Sequence, residues 1–227
     1  MQTPKPTRAP TFLMLILAIL SIATLAASLF VQHSVHAAPS PVDKRKPGTY
    51  WTFETDKGNI TCRLFEAEAP ITVRTMIGLA TGTISYVHPE TKQTEQKRFF
   101  DGLIFDRVIP GVMIQGGDLL GTGVGHPEGP GFPYKSEIVP SLKFDTPGRL
   151  AMANSGPDTN DTHFFITEAP YPAFNGKYTI WGQCENLDVV KAIARVPRDA
   201  GDTPVTPVHI QHVTIGLVQI APDGPHK

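Results

Sequence analysis

The stretch Phe105–Asp118, which reads FDRVIPGVMIQGGD, constrains the fold of this chain more than any other. Two short apolar runs flank the dipeptide Pro110-Gly111, and a second glycine-containing break follows at Gly116-Gly117. Apolar runs joined by a Pro-Gly turn predict a tight β-hairpin or a sharply bent pair of strands. The chain also contains 20 glycines and 22 prolines spread along its 227 residues, which favours a loop-rich β protein over a helical bundle.

The polar side chains of this stretch indicate a binding surface. Side chains alternate between the two faces of a strand, so Arg107 shares a face with Phe105, and Met113 shares a face with Gln115. A cation and an amide on an otherwise apolar, glycine-framed surface are typical of a shallow pocket with a few placed polar groups. We therefore predict that this hairpin forms part of the functional site.

The rest of the chain supplies further short strands and two helices. Strands are predicted at Tyr50–Thr55, Asn59–Phe65, Leu150–Asn154, His163–Thr167, Lys177–Cys184 and Val208–Ile220. Helices are predicted from Pro70 to Gly82 and over Leu187–Ala194, and the polar segment Thr83–Arg98 is predicted to be an inserted surface loop. Without β-α-β alternation, this pattern predicts a mainly β fold, a closed eight-stranded antiparallel barrel capped by two α-helices.

The N-terminal region has the pattern of an export signal. Phe12–Val31 is almost wholly apolar and follows a short basic segment, and Ala37 ends a small-residue cleavage pattern. A cleaved signal peptide is the favoured interpretation, and an uncleaved membrane anchor of similar length is the alternative. The predicted organisation is a signal or anchor at 1–37, a proline-rich linker at 38–48, a folded domain at 49–220 and a polar tail at 221–227. Either interpretation predicts an exported protein, periplasmic or secreted, or one held on the inner membrane by residues 12–31.

Charge and motif spacing exclude several function classes. The formal net charge is −1 and there is no long basic run, so the sequence does not support nucleic-acid binding. Gly121–Gly131 contains GTGVG, but its spacing fits neither a dinucleotide-binding fingerprint nor a phosphate-binding P-loop. His209 and His212 are three apart in a predicted strand and therefore face opposite sides. We expect no cofactor and no metal ion.

The two cysteines, Cys62 and Cys184, are too far apart for a CxxC motif. Two buried thiols that pack as small hydrophobic side chains are the favoured interpretation. A single disulfide between Cys62 and Cys184 is the alternative if the domain is exported.

Three sequence blocks carry a resemblance to a known family. FDRVIPGVMIQGGD is followed by LAMANSGPDTNDTHFFIT at Leu150–Thr167 and by NGKYTIWG at Asn175–Gly182. In this order and spacing they resemble the signature blocks of the cyclophilin-type peptidyl-prolyl cis-trans isomerases, here of an exported, bacterial-like type. The resemblance spans about residues 49–220. It implies an eight-stranded antiparallel barrel with a substrate groove on its outer surface.

The resemblance also implies the site residues. The family's catalytic arginine falls on Arg107. The residues that would bind the substrate are Val112, Met113, Gln115, Gly123, Ala153, Asn154, Ser155, Thr159, His163, Phe165, Phe174 and Tyr178. The implied partners are proline-containing polypeptides, bound by a monomer that assists the folding of exported proteins.

This chain departs from the family pattern at the edge of the groove. Val112 replaces a Phe, His163 a Gln, Ala173 a Trp and Tyr178 a His. Val112 removes part of an apolar wall, whereas Ala173 is expected to affect cyclosporin contact more than catalysis. An isomerase whose Arg107 hydrogen-bonds to the prolyl nitrogen is the leading hypothesis. A peptide-binding or chaperone module with weak catalysis is the alternative.

Overall fold

The computed structural model of the chain describes residues 45–219, which belong to one compact unit. The predicted signal or anchor, most of the linker and the polar tail lie outside these residues. Among the residues described, no helix is both long enough and apolar enough to cross a membrane. The first strand begins at Gly48, the last residue of the predicted linker.

Within residues 45–219, ten strands form two sheets. They are β1 Gly48–Thr55, β2 Gly58–Leu64, β3 Tyr86–Val87, β4 Thr94–Glu95, β5 Arg107–Ile109, β6 Met113–Gly116, β7 Arg149–Met152, β8 Phe164–Thr167, β9 Ile180–Cys184 and β10 Ile210–Val218. Eight of them make one curled antiparallel sheet in the order β10-β1-β2-β9-β7-β8-β6-β5, while β3 and β4 pair separately. The predicted mainly β fold with eight barrel strands is therefore confirmed.

The barrel is only partly closed, whereas the sequence predicted a closed barrel. The edge strands β5 and β10 do not pair directly with each other. The segment before β5 instead meets the start of β10 through an isolated bridge between Ile104 and His209. The Phe105 amide donates to the Val208 carbonyl at 3.0 Å, and the Ile210 amide donates to the Leu103 carbonyl at 2.7 Å.

Large aromatic side chains fill the interior of the barrel. Trp51 lies 5.4 Å from Trp181 and 5.2 Å from Phe100, measured between ring centroids, in edge-to-face contacts. Phe53 stacks on Phe164 at 4.9 Å. All five side chains are fully buried, and the four that lie on strands point inward because successive residues of a strand face opposite sides. Edge-to-face and offset contacts of this kind stabilise a core beyond the area that they bury.

In the described part of the chain, two α-helices pack on the barrel, as predicted. Helix α1, Pro70–Thr81, has proline in its first turn and ends at Gly82, whose φ of 73° is the left-handed conformation that glycine adopts without strain. Helix α2, Leu187–Ala194, buries Val190 and Ile193 in the main core.

The segment Thr83–Arg98, predicted to be a surface loop, contains the β3–β4 hairpin. Tyr86 in β3 is buried, and its hydroxyl donates to the Glu95 carboxylate at 2.7 Å. Burial first, and then this hydrogen bond, raise the pKa of Tyr86. Most of the segment is exposed or half-buried, so its predicted surface position is confirmed, but two short strands lie where a loop was predicted, and Tyr86 packs on Phe99.

Cys62 and Cys184 form a disulfide, so the favoured prediction of two free thiols was wrong. They are direct partners in the antiparallel pairing of β2 with β9, although they are 122 residues apart in sequence. The bond therefore joins two neighbouring strands of the barrel.

Candidate active site

One row of paired residues crosses the outer face of the sheet. Arg107 in β5 pairs with Gln115 in β6, Gln115 pairs with Phe165 in β8, and Phe165 pairs with Ala151 in β7. Directly paired residues of neighbouring strands point to the same face of a sheet. The adjacent position, Ile114, lies in the main core instead. The register therefore places the predicted cation, the amide and an aromatic ring side by side on the outer surface.

The Pro-Gly turn between β5 and β6 is a type II turn, and a buried carboxylate binds its backbone. The Val112 amide donates to the Ile109 carbonyl at 3.0 Å, and Gly111 has a φ of 76°, the value that this turn requires at its third position. The Gly111 amide donates to the Glu168 carboxylate at 2.7 Å. Glu168 is itself bound by Arg195 at the end of α2. This chain of contacts fixes Val112 at the rim of the groove.

A second apolar cluster, separate from the main core, forms the floor and wall of the groove. Phe165 lies 5.5 Å from Phe174 and 5.3 Å from Tyr178, and Phe174 lies 5.1 Å from Tyr178, all near edge-to-face. Phe144 packs beneath Phe165 at 5.8 Å. The rings of Phe165, Phe174 and Tyr178 line an open cleft of about 430 Å³, which we call the proline groove. Its lining consists of Arg107, Ile109, Val112, Met113, Gln115, Ala153, Asn154, Phe165, Tyr171, Phe174 and Tyr178.

A smaller cleft of about 280 Å³, which we call the side cleft, adjoins the proline groove. The two clefts share the four residues Arg107, Gln115, Ala153 and Asn154. The remaining lining of the side cleft consists of Gly123, Val124, His126, Ser155, Thr159, Asp161 and His163.

Every site residue named from the sequence lines one of these two clefts. Five further lining residues were missed: Ile109, Val124, His126, Asp161 and Tyr171. Ile109 lies two positions after Arg107 and could have been found from strand alternation. Tyr171 lies outside the signature blocks. His126 and Asp161 are 35 residues apart, and nothing in the sequence pairs them.

Arg107 is presented to the groove by an acidic partner. About half of its side chain is exposed, and its guanidinium lies 3.4 Å from the Asp202 carboxylate. Asp202 also binds Arg198 at 3.1 Å. Gln115 is oriented by donating to Asp106 at 2.9 Å, and burial raises the pKa of Asp106.

The loop after β7 is ordered by its own side chains. The Asn154 amide group donates to the Lys177 carbonyl at 3.1 Å, and its carbonyl oxygen accepts from the Gly156 amide at 3.2 Å. The Ser155 amide donates to the Thr159 hydroxyl at 2.9 Å, and that hydroxyl donates to the Gly156 carbonyl at 2.8 Å. Because these side chains are bound within the loop, the wall of the groove is already formed before a ligand enters.

A cluster of ionisable groups forms the back of the side cleft. The Asp161 carboxylate lies 2.8 Å from Nδ1 of His163 and 2.5 Å from Nδ1 of His126. Burial opposes the charged form of His163, but the hydrogen bond and charge of Asp161 outweigh it, and the pKa of His163 is raised. Burial would also raise the pKa of Asp161, but the hydrogen bonds from His163 outweigh it and lower that pKa.

The geometry defines a β-barrel protein with an apolar, ring-lined groove and one cation beside it. A family model described as "Cyclophilin type peptidyl-prolyl cis-trans isomerase/CLD" matches residues 50–215. Peptidyl-prolyl cis-trans isomerase A of Mycobacterium tuberculosis is 44% identical over 167 residues, which cover 72% of this chain and 90% of that protein. Peptidyl-prolyl cis-trans isomerase B of Streptomyces anulatus is 44% identical over 170 residues, covering 73% and 95%.

A solved structure of the same family is also similar to this chain. A crystal structure of the Cryptosporidium parvum cyclophilin-type isomerase, determined in the presence of the dipeptide Ala-Pro, is 28% identical. It superposes with a TM-score of 0.64 and covers 74% of this chain and 98% of the other. The chain belongs to the cyclophilin-type peptidyl-prolyl cis-trans isomerase family. It is an enzyme of that class, as the resemblance implied.

Proposed function

We propose that the chain isomerises X–Pro bonds of polypeptides bound in the proline groove, with Arg107 as the catalytic residue. Rotation about an X–Pro amide breaks its partial double bond, and this bond has a barrier of about 18–20 kcal/mol. In the twisted transition state the prolyl nitrogen loses its conjugation and becomes a better hydrogen-bond acceptor. A guanidinium that donates to it binds the transition state more tightly than either ground state, which is the condition for acceleration.

The single observation that carries this proposal is the cross-strand row of Arg107, Gln115 and Phe165. The row sets a permanently charged donor beside an aromatic floor on which a proline ring can pack. Gln115 and the backbone at Asn154 would hold the peptide while the carbonyl preceding the proline rotates. A relative's crystallisation with Ala-Pro supports the same ligand class for this groove.

The test is the rate of cis–trans exchange of an X–Pro peptide, measured by NMR on the purified chain. We expect Arg107→Ala to lower kcat/KM about 100-fold, the effect of removing one charged transition-state donor. Arg74→Ala, which removes an exposed arginine of α1, is the matched control and should leave the rate unchanged. Equal kcat/KM for wild type and Arg107→Ala, with peptide still bound, would favour the peptide-binding module instead.

We also propose that the protein is exported, is a monomer and assists the folding of other exported proteins. The apolar segment at 12–31 and the disulfide between Cys62 and Cys184 support export, because disulfides persist in oxidising compartments. The test is fractionation of cells that express the full chain, followed by N-terminal sequencing and by light scattering of the purified protein. Recovery in the cytosol with two free thiols would refute export, and a dimeric mass would refute the monomer.

A further inference from the structure

We propose that His126, Asp161 and His163 form a binding site for a divalent transition-metal ion of the zinc class, at the back of the side cleft. Each side chain offers one ligand atom, and these atoms all lie within 4.8 Å of one another. Metal binding at this site does not depend on the isomerase activity. This proposal differs from the expectation drawn from the sequence, which was that the chain binds no metal ion.

The distances between the three ligand atoms would suit a metal ion after small side-chain rotations. Zn²⁺ takes nitrogen and carboxylate ligands at about 2.0–2.2 Å in a tetrahedral arrangement, so its ligand atoms are about 3.4 Å apart. The Nδ1 atoms of His126 and His163 now lie 2.5 and 2.8 Å from the two oxygens of Asp161. All three ligand atoms lie within 4.8 Å of one another, so side-chain rotations that change these separations by about 1 Å would admit an ion between them.

Asp161 and His163 are held in place before any ion binds. One Asp161 oxygen, Oδ1, accepts hydrogen bonds from the amides of Thr162 at 2.5 Å and of His163 at 2.8 Å. The other oxygen, Oδ2, contacts Nδ1 of His126. The His163 side chain is only 5% exposed, and its Nε2 has no hydrogen-bond partner among the described residues. Oδ2 is therefore the oxygen that is less engaged by the backbone and the one that would bind the ion.

His126 is the adjustable ligand. Its side chain is half exposed, and it lies in the glycine-rich stretch Gly121–Gly131, while its ring lies 4.6 Å from the ring of His163. A loop ligand of this kind can rotate toward an ion without disturbing the barrel. Two imidazoles and one carboxylate favour transition metals over Mg²⁺ or Ca²⁺, which prefer all-oxygen ligands.

The open side of the site faces the substrate surface. Three protein ligands leave one tetrahedral position for water or another ligand. That position opens toward the side cleft, whose lining includes Arg107 and Gln115. A bound ion would also connect the loop carrying His126 to the start of β8. We therefore expect a bound ion to change how substrate binds in the side cleft.

The direct test is isothermal titration calorimetry, in which the purified full chain is titrated with Zn²⁺ and, separately, with Mg²⁺. The chain has eight histidines, so the site is identified from the difference between wild type and variants. We expect His126→Ala and His163→Gln each to weaken one Zn²⁺-binding event about 100-fold or more, since even outer-sphere partners contribute 10–100-fold. Mg²⁺ should not compete with Zn²⁺ for this site. Co²⁺ at the same site should give visible absorption that His126→Ala abolishes.

The chain offers a matched control. Nδ1 of His212 lies 2.7 Å from Asp101, so His212→Ala removes a similar His–Asp pair that is not part of any three-residue ligand group among the described residues. This control should bind Zn²⁺ as wild type does. Because His126 is half exposed, His126→Ala should also keep its unfolding temperature in the absence of metal. Unchanged Zn²⁺ affinity in both His126→Ala and His163→Gln, or no binding to wild type at about 100 μM Zn²⁺, would overturn the proposal.

Discussion

The position of Arg107 depends on a residue that lies outside both clefts. Asp202 has a φ of 67°, a left-handed conformation, and its carbonyl accepts a hydrogen bond from the Val108 amide at 2.8 Å. Its carboxylate contacts both Arg107 and Arg198. The same residue thus fixes the backbone of β5 and the guanidinium that β5 presents. We regard Asp202 as a positioning residue.

We predict that Asp202→Asn lowers kcat about two- to fivefold with little change in KM. Asparagine tolerates the left-handed backbone, so the loop should persist while the charge is lost. An exposed ion pair contributes about 1 kcal/mol or less, which limits the effect to this range. Steady-state NMR exchange measurements separate kcat from KM. Asp188→Asn, in an exposed part of α2, is the control, and an unchanged kcat in Asp202→Asn would remove the positioning role.

Val112 lies at the rim of the proline groove, where the resemblance implies that the family has a phenylalanine. We predict that Val112→Phe raises kcat/KM about fivefold, because a larger ring adds about 1 kcal/mol of apolar contact with the bound proline. Val205→Phe adds the same ring at a side chain that is 68% exposed and away from both clefts, and it should have no effect. A fall in kcat/KM for Val112→Phe would mean that the added ring fills the groove itself.

At the scale of elements, short-range patterns were predictable and long-range contacts were not. The β5–β6 hairpin and both helices are specified by residues next to one another, such as Pro110-Gly111 and the proline that begins α1. The side cleft, by contrast, depends on His126 and Asp161, which meet only because the loop after β6 folds over the start of β8. No local sequence pattern predicts this long-range contact.

The N-terminus of α1 is also stabilised by a long-range contact that the sequence does not predict. Ala69 at the N-cap provides no side-chain hydrogen bond. The Glu137 carboxylate, 66 residues from Ile71, accepts the amides of Ile71 and Thr72, each at 2.9 Å. A carboxylate at this end of a helix satisfies free amides and interacts favourably with the helix dipole.

We predict that Glu137→Ala lowers the free energy of unfolding by about 1–2 kcal/mol, the usual effect of losing a helix cap. Chemical denaturation followed by circular dichroism measures it. Glu90→Ala removes an exposed glutamate and should leave the free energy within about 0.5 kcal/mol of wild type. If both variants are equally stable, Glu137 does not act as the cap.

At the scale of the whole molecule, the signature blocks predicted the barrel, but not its seam or its disulfide. Closure depends on how the segment before β5 meets β10, and the disulfide depends on the register that pairs Cys62 with Cys184. Both are properties of strands far apart in sequence. The sequence could therefore supply the number of strands and the groove residues, while the contacts that join the ends of the sheet required the structure.

We predict that the double variant Cys62→Ala/Cys184→Ala is less stable than the oxidised wild type by about 2–4 kcal/mol, which lowers Tm by about 5–15 °C. The disulfide restricts the unfolded chain by joining residues that are 122 apart in sequence. Calorimetry with and without a reductant measures the effect. The reductant should lower the Tm of wild type and leave the double variant unchanged, whereas a wild-type Tm insensitive to reduction would contradict the prediction.

The separation of the two apolar clusters has a consequence for how this enzyme can change over evolutionary time. The main core and the floor of the proline groove lie on opposite faces of the same strands. Substitutions such as those at Val112, His163 and Tyr178 alter the outer face while the inner face keeps the barrel folded. A lineage can therefore acquire new substrate preferences, or a metal-responsive cleft, without first acquiring a new scaffold.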